Sequence, residues 1–498
     1  MNATVRTAVV LLGAVWALDA ASLAERIDRL LETTPSATST FWGIQVVDLA
    51  SGKTLYETNS HHFFVPASNT KLFTTALALT RLGPGFTFQT RVLAGASPDA
   101  RGRIAGDLRL VGGGDPNLSG RVIPYRKDSQ SSDPLGPLDD LAAQVAAQGV
   151  TRIAGDIVGD DTWYVWQPYA VGWGIDDPAS DDGPAVSALT VNDNVLTLSI
   201  HPGPRPGDLA ALELSPPLEF YRLDNRLRTV AAGGERRVSF DRIPGSLDAS
   251  LWGTVPLRDR GLELLLGIDD PALFAAQAFR RALEEHGVVV EGSATARHCA
   301  PENTPDLALG PSPPTEPGIE LARRVSAPLL EDLRVTAKVS QNLHAELLLR
   351  AVGRARRDIG SFEAGLEEMK SFLAEAGLDP ESCHFRDGSG LARLNLVTPE
   401  AVVKLLRFVY ASPLREEWLS VLPVAGRDGT LATRFASGPA AGRVYAKTGS
   451  LSHVSALSGY AQRLNGDWVA FSILANNYNA GSGDIRGIID RICNLIVE

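Results

Sequence analysis

Three short polar motifs stand far apart in this chain of 498 residues, and their separation constrains the fold more than any other feature. Ser68-Asn69-Thr70-Lys71 opens an apolar helical stretch, whereas Ser340-Gln341-Asn342 and Lys447-Thr448-Gly449 lie in the second half of the chain. Between the first motif and the second, the sequence is mostly typical of short strands separated by turns. If the three motifs build one site, a single domain is interrupted by a long β-rich insertion. We therefore predict an insertion, not a tandem pair of domains.

Hydrophobic periodicity predicts where the regular elements lie. Gly43 to Asp48 alternates like a strand, and the helix that starts at Ser68 ends at Gly83-Pro84. The other predicted helices span residues 23–31, 271–286, 343–350, 362–376 and 399–410. The other predicted strands span residues 88–93, 106–111, 153–158, 443–447, 454–464 and 467–475. A proline-rich linker is predicted between Cys299 and Gly318.

The first motif predicts a serine nucleophile with a lysine base. Ser68 and Lys71 are three residues apart, so on a helix they share one face. A serine hydroxyl attacks only after a base has taken its proton, and Lys71 serves if burial and the nearby cation of Lys447 keep its amine neutral. Ser68 at a helix start also offers its backbone N–H to a developing oxyanion. Alone, a serine followed by a lysine at this spacing is weak evidence, because it arises by chance in a chain of this length.

The other two motifs have both a catalytic and a structural interpretation. Ser340 is predicted to carry a proton to the leaving amine, and Asn342 to hydrogen-bond the substrate amide. The alternative is that Ser340-Gln341-Asn342 only caps the helix that follows. In Lys447-Thr448-Gly449-Ser450, the glycine permits close backbone approach and the N–H of Ser450 can complete an oxyanion hole. The alternative there is a plain strand-to-turn transition.

The order of the motifs and their flanking residues resembles the penicillin-binding protein 4 type of D-alanyl-D-alanine carboxypeptidase/endopeptidase, the class C low-molecular-mass penicillin-binding proteins. Gln341 stands where many members carry aspartate, which leaves Ser340 and Asn342 in place. The resemblance extends over nearly the whole mature chain. The segments that carry it are Pro66 to Leu72, Leu110 to Pro116, Ser187-Ala188-Leu189, Asn192-Asp193-Asn194, Lys338 to Glu346, Asp387 to Leu391 and Leu422 to Leu431.

The resemblance implies an α/β fold of the serine β-lactamase-like or transpeptidase-like class, an antiparallel sheet flanked by helices and interrupted by nested β-rich domains. The implied domains are residues 22–86 with 316–498 (catalytic), 87–190 with 256–315 (inserted) and 191–255 (nested). The implied substrate is the D-Ala-D-Ala end, or a D-Ala cross-link, of peptidoglycan peptides, with β-lactam antibiotics as acylating inhibitors. Thr448, Gly449 and Ser450 are predicted to bind this substrate. Asp160, with Asp161 as its competitor, and Arg393 are candidates for recognising a diamino-acid side chain.

Composition and the first residues add exclusions and a location. A net charge of -11 argues against nucleic acid, which requires basic patches. Three cysteines form no disulfide or zinc pattern, so neither a metal nor a cofactor is expected. Arg6, the apolar run from Val9 to Leu18 and the small residues after it are typical of a signal peptide over residues 1–21, cleaved near Ala20 or Ala21. The alternative is a buried N-terminal helix. We expect export to the periplasm or another extracytoplasmic space, and peripheral membrane association stays open.

Three rival functions remain to be weighed. A serine β-lactamase needs a base that activates water on the acyl-enzyme, and no carboxylate in the sequence is identified for that role. An esterase of the α/β-hydrolase type is disfavoured, because Gly388-Ser389-Gly390 lacks its nucleophile motif. A catalytically silent cell-wall-binding protein is disfavoured, because it has no need of four intact catalytic residues: Ser68, Lys71, Ser340 and Lys447.

Overall fold

The structure is a computed structural model that describes residues 21–126, 133–243, 245–300, 317–435 and 437–498. The predicted signal peptide and most of the predicted proline-rich linker lie outside these residues. The helices of the described part are α1 Leu23–Thr33, α2 Pro35–Thr38, α3 Thr70–Leu82, α4 Gly136–Ala147, α5 Pro271–Glu285, α6 Leu329–Arg334, α7 Asn342–Arg357, α8 Phe362–Glu375, α9 Pro399–Tyr410, α10 Arg415–Val421 and α11 Ser482–Val497.

The strands follow the same chain order through both domains. They are β1 Phe41–Asp48, β2 Thr54–Thr58, β3 Gln89–Ala94, β4 Arg103–Ile104, β5 Leu108–Val111, β6 Arg152–Ile153, β7 Ile157–Val165, β8 Val195–His201, β9 Ala211–Ser215, β10 Arg222–Val230, β11 Arg237–Arg242, β12 Asp248–Pro256, β13 Leu262–Gly267, β14 Val289–Val290, β15 Ala294–Cys299, β16 Ile319–Val325, β17 Cys383–His384, β18 Leu396–Val397, β19 Val444–Leu451, β20 Val454–Gln462 and β21 Trp468–Asn476.

A five-stranded antiparallel sheet forms the centre of the catalytic domain. Its strand order is β19-β20-β21-β1-β2, so β19 is an edge strand. Side chains alternate between faces along a strand, and neighbours in β21 therefore enter different cores. Ile473 packs in the core that also holds residues of α1 and α11, whereas Leu474 packs with residues of α3, α7 and α9. Helices thus cover both faces, and the edge at β19 borders the cleft described below.

The inserted region has its own core around a five-stranded mixed sheet. The strand order is β15-β7-β5-β3-β16, with α4 and α5 packed against it. Two smaller sheets, β13-β8-β9 and β10-β12-β11, extend this region. No described helix is long and apolar enough to cross a membrane.

The observed strand pairing crosses two of the domain boundaries predicted from the sequence. Because β16 forms a hydrogen-bonded ladder with β3, the insertion continues to Val325, beyond the predicted boundary at 315. Because β13 pairs with β8, residues 262–267 belong with the sheet that starts at Val195, although the prediction placed them in different domains. Proline content marked a segment near the boundary, but backbone hydrogen bonds decide which strands form one sheet.

The two ends of the insertion lie side by side. The N–H of Ser326 donates to the carbonyl of Phe88 at 3.0 Å, and the hydroxyl of Ser326 accepts from the N–H of Phe88 at 2.9 Å. The N–H of Leu329 donates to the carbonyl of Phe86 at 2.8 Å. The insertion therefore leaves the catalytic domain and returns to it at one place.

Candidate active site

Ser68 lies in a single 3-10 turn, Ala67–Asn69, that leads directly into α3. Its side chain is half-buried, so it is held in place and can still be reached. The Asn69 amide donates to the carbonyl of Lys447 at 2.9 Å, which ties this turn to the edge strand β19. Ser68 is therefore fixed between a helix start and a strand edge.

Lys71 is fully buried one turn along α3 and makes three hydrogen bonds through its amine. Nζ lies 2.9 Å from Ser68 Oγ, 2.6 Å from Asn342 Oδ1 and 2.7 Å from the carbonyl of Ser389. Burial lowers the pKa of Lys71 to about 7, although the charges of Asp387, Glu346 and Asp182 act in the opposite direction. A neutral amine beside the serine hydroxyl is thus well populated near neutral pH, and it can accept the serine proton.

Ser340 and Lys447 form a second hydroxyl–amine pair across the cleft. Ser340 follows a π-helical turn, Val335–Val339, and takes a left-handed backbone conformation with φ of 71°. Lys447 Nζ donates to Ser340 Oγ at 2.7 Å and to the carbonyl of Thr448 at 2.8 Å. Burial first, and then the charge of Lys71, hold the pKa of Lys447 well below its usual range. The charge of Lys71 thus contributes to the lowered pKa of Lys447, whereas the pKa of Lys71 is lowered by burial.

Asn342 connects the base to the inserted region. Its Oδ1 accepts from Lys71, and its Nδ2 donates to the carbonyl of Asp182 at 2.8 Å. The residue that caps α7 is Gln341, whose side chain accepts from the N–H of Leu343. The capping interpretation therefore applies to Gln341, which leaves Ser340 and Asn342 directed toward Lys447 and Lys71.

The third motif runs along the exposed edge of β19. A Cβ added to Gly449 would stand 2.6 Å from the carbonyl of Pro66, so only glycine lets the strand approach the nucleophile segment this closely. Thr448 is half-buried, and its hydroxyl donates to that of Thr430 at 2.9 Å. Ser450 is exposed on the same strand.

These residues meet in a cleft of about 790 Å³ between the catalytic domain and the insertion, which we call the active-site cleft. Ser68, Ser340, Asn342, Thr448, Ser450 and Arg393 all line it. Its outer wall comes from an insertion loop with four carboxylates, those of Asp176, Asp177, Asp181 and Asp182. Among the described residues, no cluster of three or more histidine, cysteine, aspartate and glutamate side chains is arranged to hold a metal ion. The arrangement provides a nucleophile, two amines that can exchange protons, and a charged wall.

Comparisons with known proteins match this arrangement. The family model described as D-Ala-D-Ala carboxypeptidase 3 (S13) matches residues 23–495. A D-alanyl-D-alanine carboxypeptidase from an Actinomadura species is 37% identical over 94% of this chain and 85% of its own length. The chain belongs to the D-Ala-D-Ala carboxypeptidase 3 (S13) family.

Solved structures agree with this family on the fold. The crystal structure of penicillin binding protein 4 from Haemophilus influenzae superposes with a TM-score of 0.79 at 24% identity, over 94% of this chain and 98% of that one. A second structure of that protein, complexed with a β-lactam, gives a TM-score of 0.75 at 23% identity over the same shares of the two chains. The expectations of a transpeptidase-like α/β fold and of a serine D-Ala-D-Ala carboxypeptidase are confirmed.

One predicted substrate residue of this S13 family member does not reach the cleft. Asp160 is only 1% exposed in β7, where its Oδ1 accepts from the N–H and the hydroxyl of Thr162 at 3.1 and 2.6 Å. Its competitor Asp161 is also buried, bonded to Ser187 and His298. Both belong to the sheet of the inserted region, so the prediction for Asp160 is corrected. The acidic residues that face Arg393 come from the loop after β7.

A buried ion network under the second motif was not predicted from the sequence. His344 is fully buried, and its Nδ1 and Nε2 lie 2.7 Å from Asp332 Oδ1 and 3.1 Å from Asp193 Oδ1. Burial opposes the charged imidazole, yet the two carboxylates raise the pKa of His344 to about 9. Asp193 also accepts from Gln341 at 3.3 Å and pairs with Arg121. Asp193 belongs to the insertion, so this network attaches the turn that carries Ser340 to the insertion.

Glu346 organises the loop that binds Lys71, and its role was also missed. Its Oε1 accepts from the N–H groups of Gly388 and Ser389 at 2.8 and 2.9 Å, which directs the Ser389 carbonyl toward the lysine. Burial, followed by the charge of Asp387, raises the pKa of Glu346 to about 7. Glu346, His344 and Asp193 lie in segments that carried the family resemblance, whereas Asp332 and Arg121 do not. Their charge pattern alone gave no signal, because pairs so distant in sequence meet only in the fold.

Proposed function

We propose that the protein cleaves the amide bond after D-alanine in peptidoglycan peptides through an acyl-enzyme on Ser68. The observation that carries this proposal is the buried Lys71 amine 2.9 Å from the half-buried Ser68 hydroxyl, with a pKa lowered to about 7. A buried lysine that can be neutral at working pH is a general base beside its nucleophile. β-Lactams acylate the same serine, which agrees with the β-lactam complex of the H. influenzae protein.

The geometry supports a defined sequence of proton movements. Ser68 Oγ attacks the carbonyl carbon while Lys71 takes its proton, and the N–H groups of Ser68 and Ser450 stabilise the oxyanion. The C–N bond then breaks as Ser340 gives its proton to the leaving amine. The proton that Lys71 took from Ser68 passes through Lys447 to Ser340, along the 2.7 Å hydrogen bond between Lys447 and Ser340, so Lys71 is neutral again. Water finally hydrolyses the ester, with Lys71 as the base. Asn342 keeps the Lys71 amine in position throughout.

Substrate recognition is assigned to the third motif and to the cleft wall. Thr448 and Lys447 hold the terminal carboxylate of a D-Ala-D-Ala end, because a cation and a hydroxyl suit that group. Arg393 is exposed, donates to the carbonyl of Ser452 at 3.1 Å, and is near enough to Asp177 for its charge to act on that carboxyl. An arginine beside acidic side chains suits a diamino-acid side chain, which carries an amine and a carboxylate.

We also propose that the protein acts outside the cytoplasm, supported by the signal-peptide pattern of residues 1–21. Cell fractionation and N-terminal sequencing of the mature chain test this. A mature chain that still begins at Met1 and stays in the cytoplasm contradicts it.

The deciding experiment for the function is intact mass after incubation with penicillin. We expect one adduct per chain, mapped to Ser68 and absent from Ser68→Ala. Ser389→Ala is the matched control, because Ser389 contacts Lys71 through its backbone carbonyl, which the variant keeps. An adduct that persists in Ser68→Ala contradicts the assignment.

A further inference from the structure

The amine of Lys71 is attached to the inserted region by two separate routes. On one side, Asn342 accepts from Lys71 and donates to the carbonyl of Asp182. On the other side, the carbonyl of Ser389 accepts from Lys71 at 2.7 Å, and this carbonyl belongs to the loop that Glu346 holds. The second route continues beyond Glu346 to a buried arginine.

This arginine is Arg350, which lies one turn after Glu346 on α7 and is only 1% exposed. Its Nη1 lies 3.4 Å from Glu346 Oε2, and its Nη2 donates to the carbonyl of Gln167 at 2.9 Å. Both members of this ion pair are buried, so each charge depends on the other and on the groups that hydrogen-bond it. Because Gln167 belongs to the insertion, Arg350 connects Glu346 to the other domain.

Gln167 is itself fixed where the insertion meets the catalytic domain. It follows β7 and begins the segment that leads to the acidic loop of the cleft wall. Its side-chain amide donates to both carboxylate oxygens of Glu363, at 3.0 and 2.9 Å, and its Oε1 accepts from the N–H of Phe362 at 3.1 Å. Nearby, the N–H of Val165 donates to the carbonyl of Gly360 at 2.9 Å. The docking of the insertion on the start of α8 therefore sets the position of the Gln167 carbonyl.

We propose that Glu346 and Arg350 are positioning residues, through which the docking of the insertion holds the catalytic lysine in place. The inference rests on the proposed function and deepens it. The path runs from the carbonyl of Gln167 through Arg350 to Glu346. From there it reaches Lys71 through the two N–H groups that Glu346 binds and the carbonyl of Ser389. Both residues act on the reaction through Lys71 and not through contact with the substrate.

Glu346 also contributes to the charge around Lys71. Burial lowers the pKa of Lys71, whereas the charges of three carboxylates raise it: those of Asp387, Glu346 and Asp182. These carboxylates belong to three different segments, and Lys447 faces the same amine from β19. The protonated form of Lys71 is thus favoured by several anions, of which Glu346 is one that can be neutralised without moving the others.

The charge of Glu346 depends in turn on its own neighbours. Burial and then the charge of Asp387 raise the pKa of Glu346, whereas the charge of Arg350 lowers it. Glu346→Gln keeps an oxygen for the two N–H groups but carries no charge. Lys71 should then lose its proton at lower pH, because one of the anions that favour its protonated form is gone.

The test uses two double variants of the full chain that differ in one property. Glu346→Gln/Arg350→Met and Glu346→Leu/Arg350→Met both remove the whole ion pair, so neither leaves a buried charge without its partner. Only the first keeps an oxygen for the two N–H groups. The matched control is Arg280→Met/Glu284→Gln, an ion pair with the same spacing on the surface of α5. Thermal unfolding shows whether each variant is folded.

Stopped-flow acylation by penicillin is measured from pH 5.5 to 9. In Glu346→Gln/Arg350→Met we expect the pH midpoint of acylation to lie about half a pH unit or more below that of wild type, because a nearby charge has been removed from Lys71. In Glu346→Leu/Arg350→Met we expect the same shift and a plateau rate at least about tenfold below that of the glutamine variant, because unpaired N–H groups no longer orient the Ser389 carbonyl. The surface control should change the midpoint and the plateau by less than about twofold in rate.

Gln167→Ala tests the link to the insertion. It keeps the carbonyl that Arg350 binds but removes the side-chain hydrogen bonds that fix this carbonyl. We expect the plateau rate of acylation to fall about fivefold, the scale of one lost hydrogen bond. Gln148→Ala, at an exposed position of the insertion, is the control and should acylate at the wild-type rate.

Three results overturn the inference and leave the proposed function intact. They are an unchanged pH midpoint in Glu346→Gln/Arg350→Met, equal plateau rates in the two double variants, and a wild-type rate in Gln167→Ala. If Glu346→Leu/Arg350→Met unfolds, the midpoint of the glutamine variant and the rate of Gln167→Ala still decide. A wild-type protein that penicillin does not acylate overturns the proposed function, and this inference with it.

Discussion

The floor and the outer wall of the active-site cleft are built in different ways. On the floor, Lys71 and Lys447 are fully buried and their amines are held by side-chain and backbone oxygens. On the wall, Arg393, Asp176 and Asp182 are exposed to solvent. The floor is therefore arranged before substrate arrives, whereas the charged side chains of the wall are open to solvent and to substrate. Chemistry depends on the first region and selectivity on the second, so substitutions in the two should affect different kinetic constants.

The largest expected effect is on the floor, from Lys71→Arg. A guanidinium stays ionised at any working pH, so it cannot take the Ser68 proton. Acylation by penicillin should fall at least about a hundredfold, the usual scale of general-base loss. In the wild-type protein the neutral amine is the active form, so acylation should rise with pH through about 7 and level off above it. Stopped-flow acylation from pH 5.5 to 9 measures both.

Lys404→Arg is the control for this substitution, because Lys404 pairs with Glu400 on the surface. An acylation rate near wild type in Lys71→Arg would exclude Lys71 as the base.

Beneath the floor, we expect His344→Gln to lower the free energy of unfolding by about 3 kcal/mol near pH 6. The pKa of His344 is raised from 6.5 to about 9 in the folded protein, and each pKa unit corresponds to about 1.36 kcal/mol. Because the pKa is raised in the folded state, the charged imidazole of His344 stabilises the fold fully below pH 6.5. This stabilisation is lost as the pH rises through about 9. The difference in Tm between wild type and variant should therefore shrink from pH 6 to pH 10.

His286→Gln removes a half-exposed histidine–aspartate pair and should change Tm little at either pH. A Tm difference for His344→Gln that stays constant over this range would show that the two carboxylates do not hold a charged imidazole.

At the border of floor and wall, Thr448→Val should distinguish substrates. The hydroxyl is assigned to the terminal carboxylate, so cleavage of a free-ended pentapeptide should fall about tenfold more than hydrolysis of a neutral ester that lacks it. Thr448→Ser should restore most of the difference. Equal losses on both substrates would mean that Thr448 serves only the bond to Thr430.

The smallest effect is expected on the wall, from Trp173→Phe. Trp173 Nε1 donates to Asp387 Oδ2 at 3.0 Å and so attaches the acidic loop to the loop that carries Arg393. Loss of one such hydrogen bond costs about 1 kcal/mol, so KM for a diamino-acid peptide should rise about fivefold while kcat changes little. Trp163→Phe, outside the cleft lining, is the control. A fall in kcat without a change in KM would contradict the division between floor and wall.

Local sequence was sufficient for the elements on the floor. The helix around Lys71 and α9 were predicted close to their observed bounds, because apolar periodicity and terminal glycine or proline mark such segments. The helix α11 was not predicted, although Ile485, Ile488, Ile489 and Ile492 follow helical spacing along it. Glycines within that segment obscured the pattern.

The wall could not be located from the sequence. Asp160 was chosen because it stands in the insertion, but it is buried in β7, and the carboxylates of Asp176 and Asp182 reach the cleft instead. Which aspartate faces Arg393 depends on where a loop returns after a strand, and no local pattern encodes that. The pairing of His344 with Asp193 was not predicted for the same reason, since the two residues are 151 positions apart in the chain.

The side-by-side ends of the insertion have a consequence for how the protein is made. The hydrogen bond that closes the insertion joins residues 238 apart in the chain, and the bond that seats the nucleophile turn on β19 joins Asn69 to Lys447, 378 residues later. After α3 has left the ribosome, most of the remaining polypeptide must therefore be synthesised before Ser68 can contact β19. Contacts this distant form late in folding. Hydrolytic competence thus requires the last part of the chain, and a nascent chain carries Ser68 without Ser340 and Lys447.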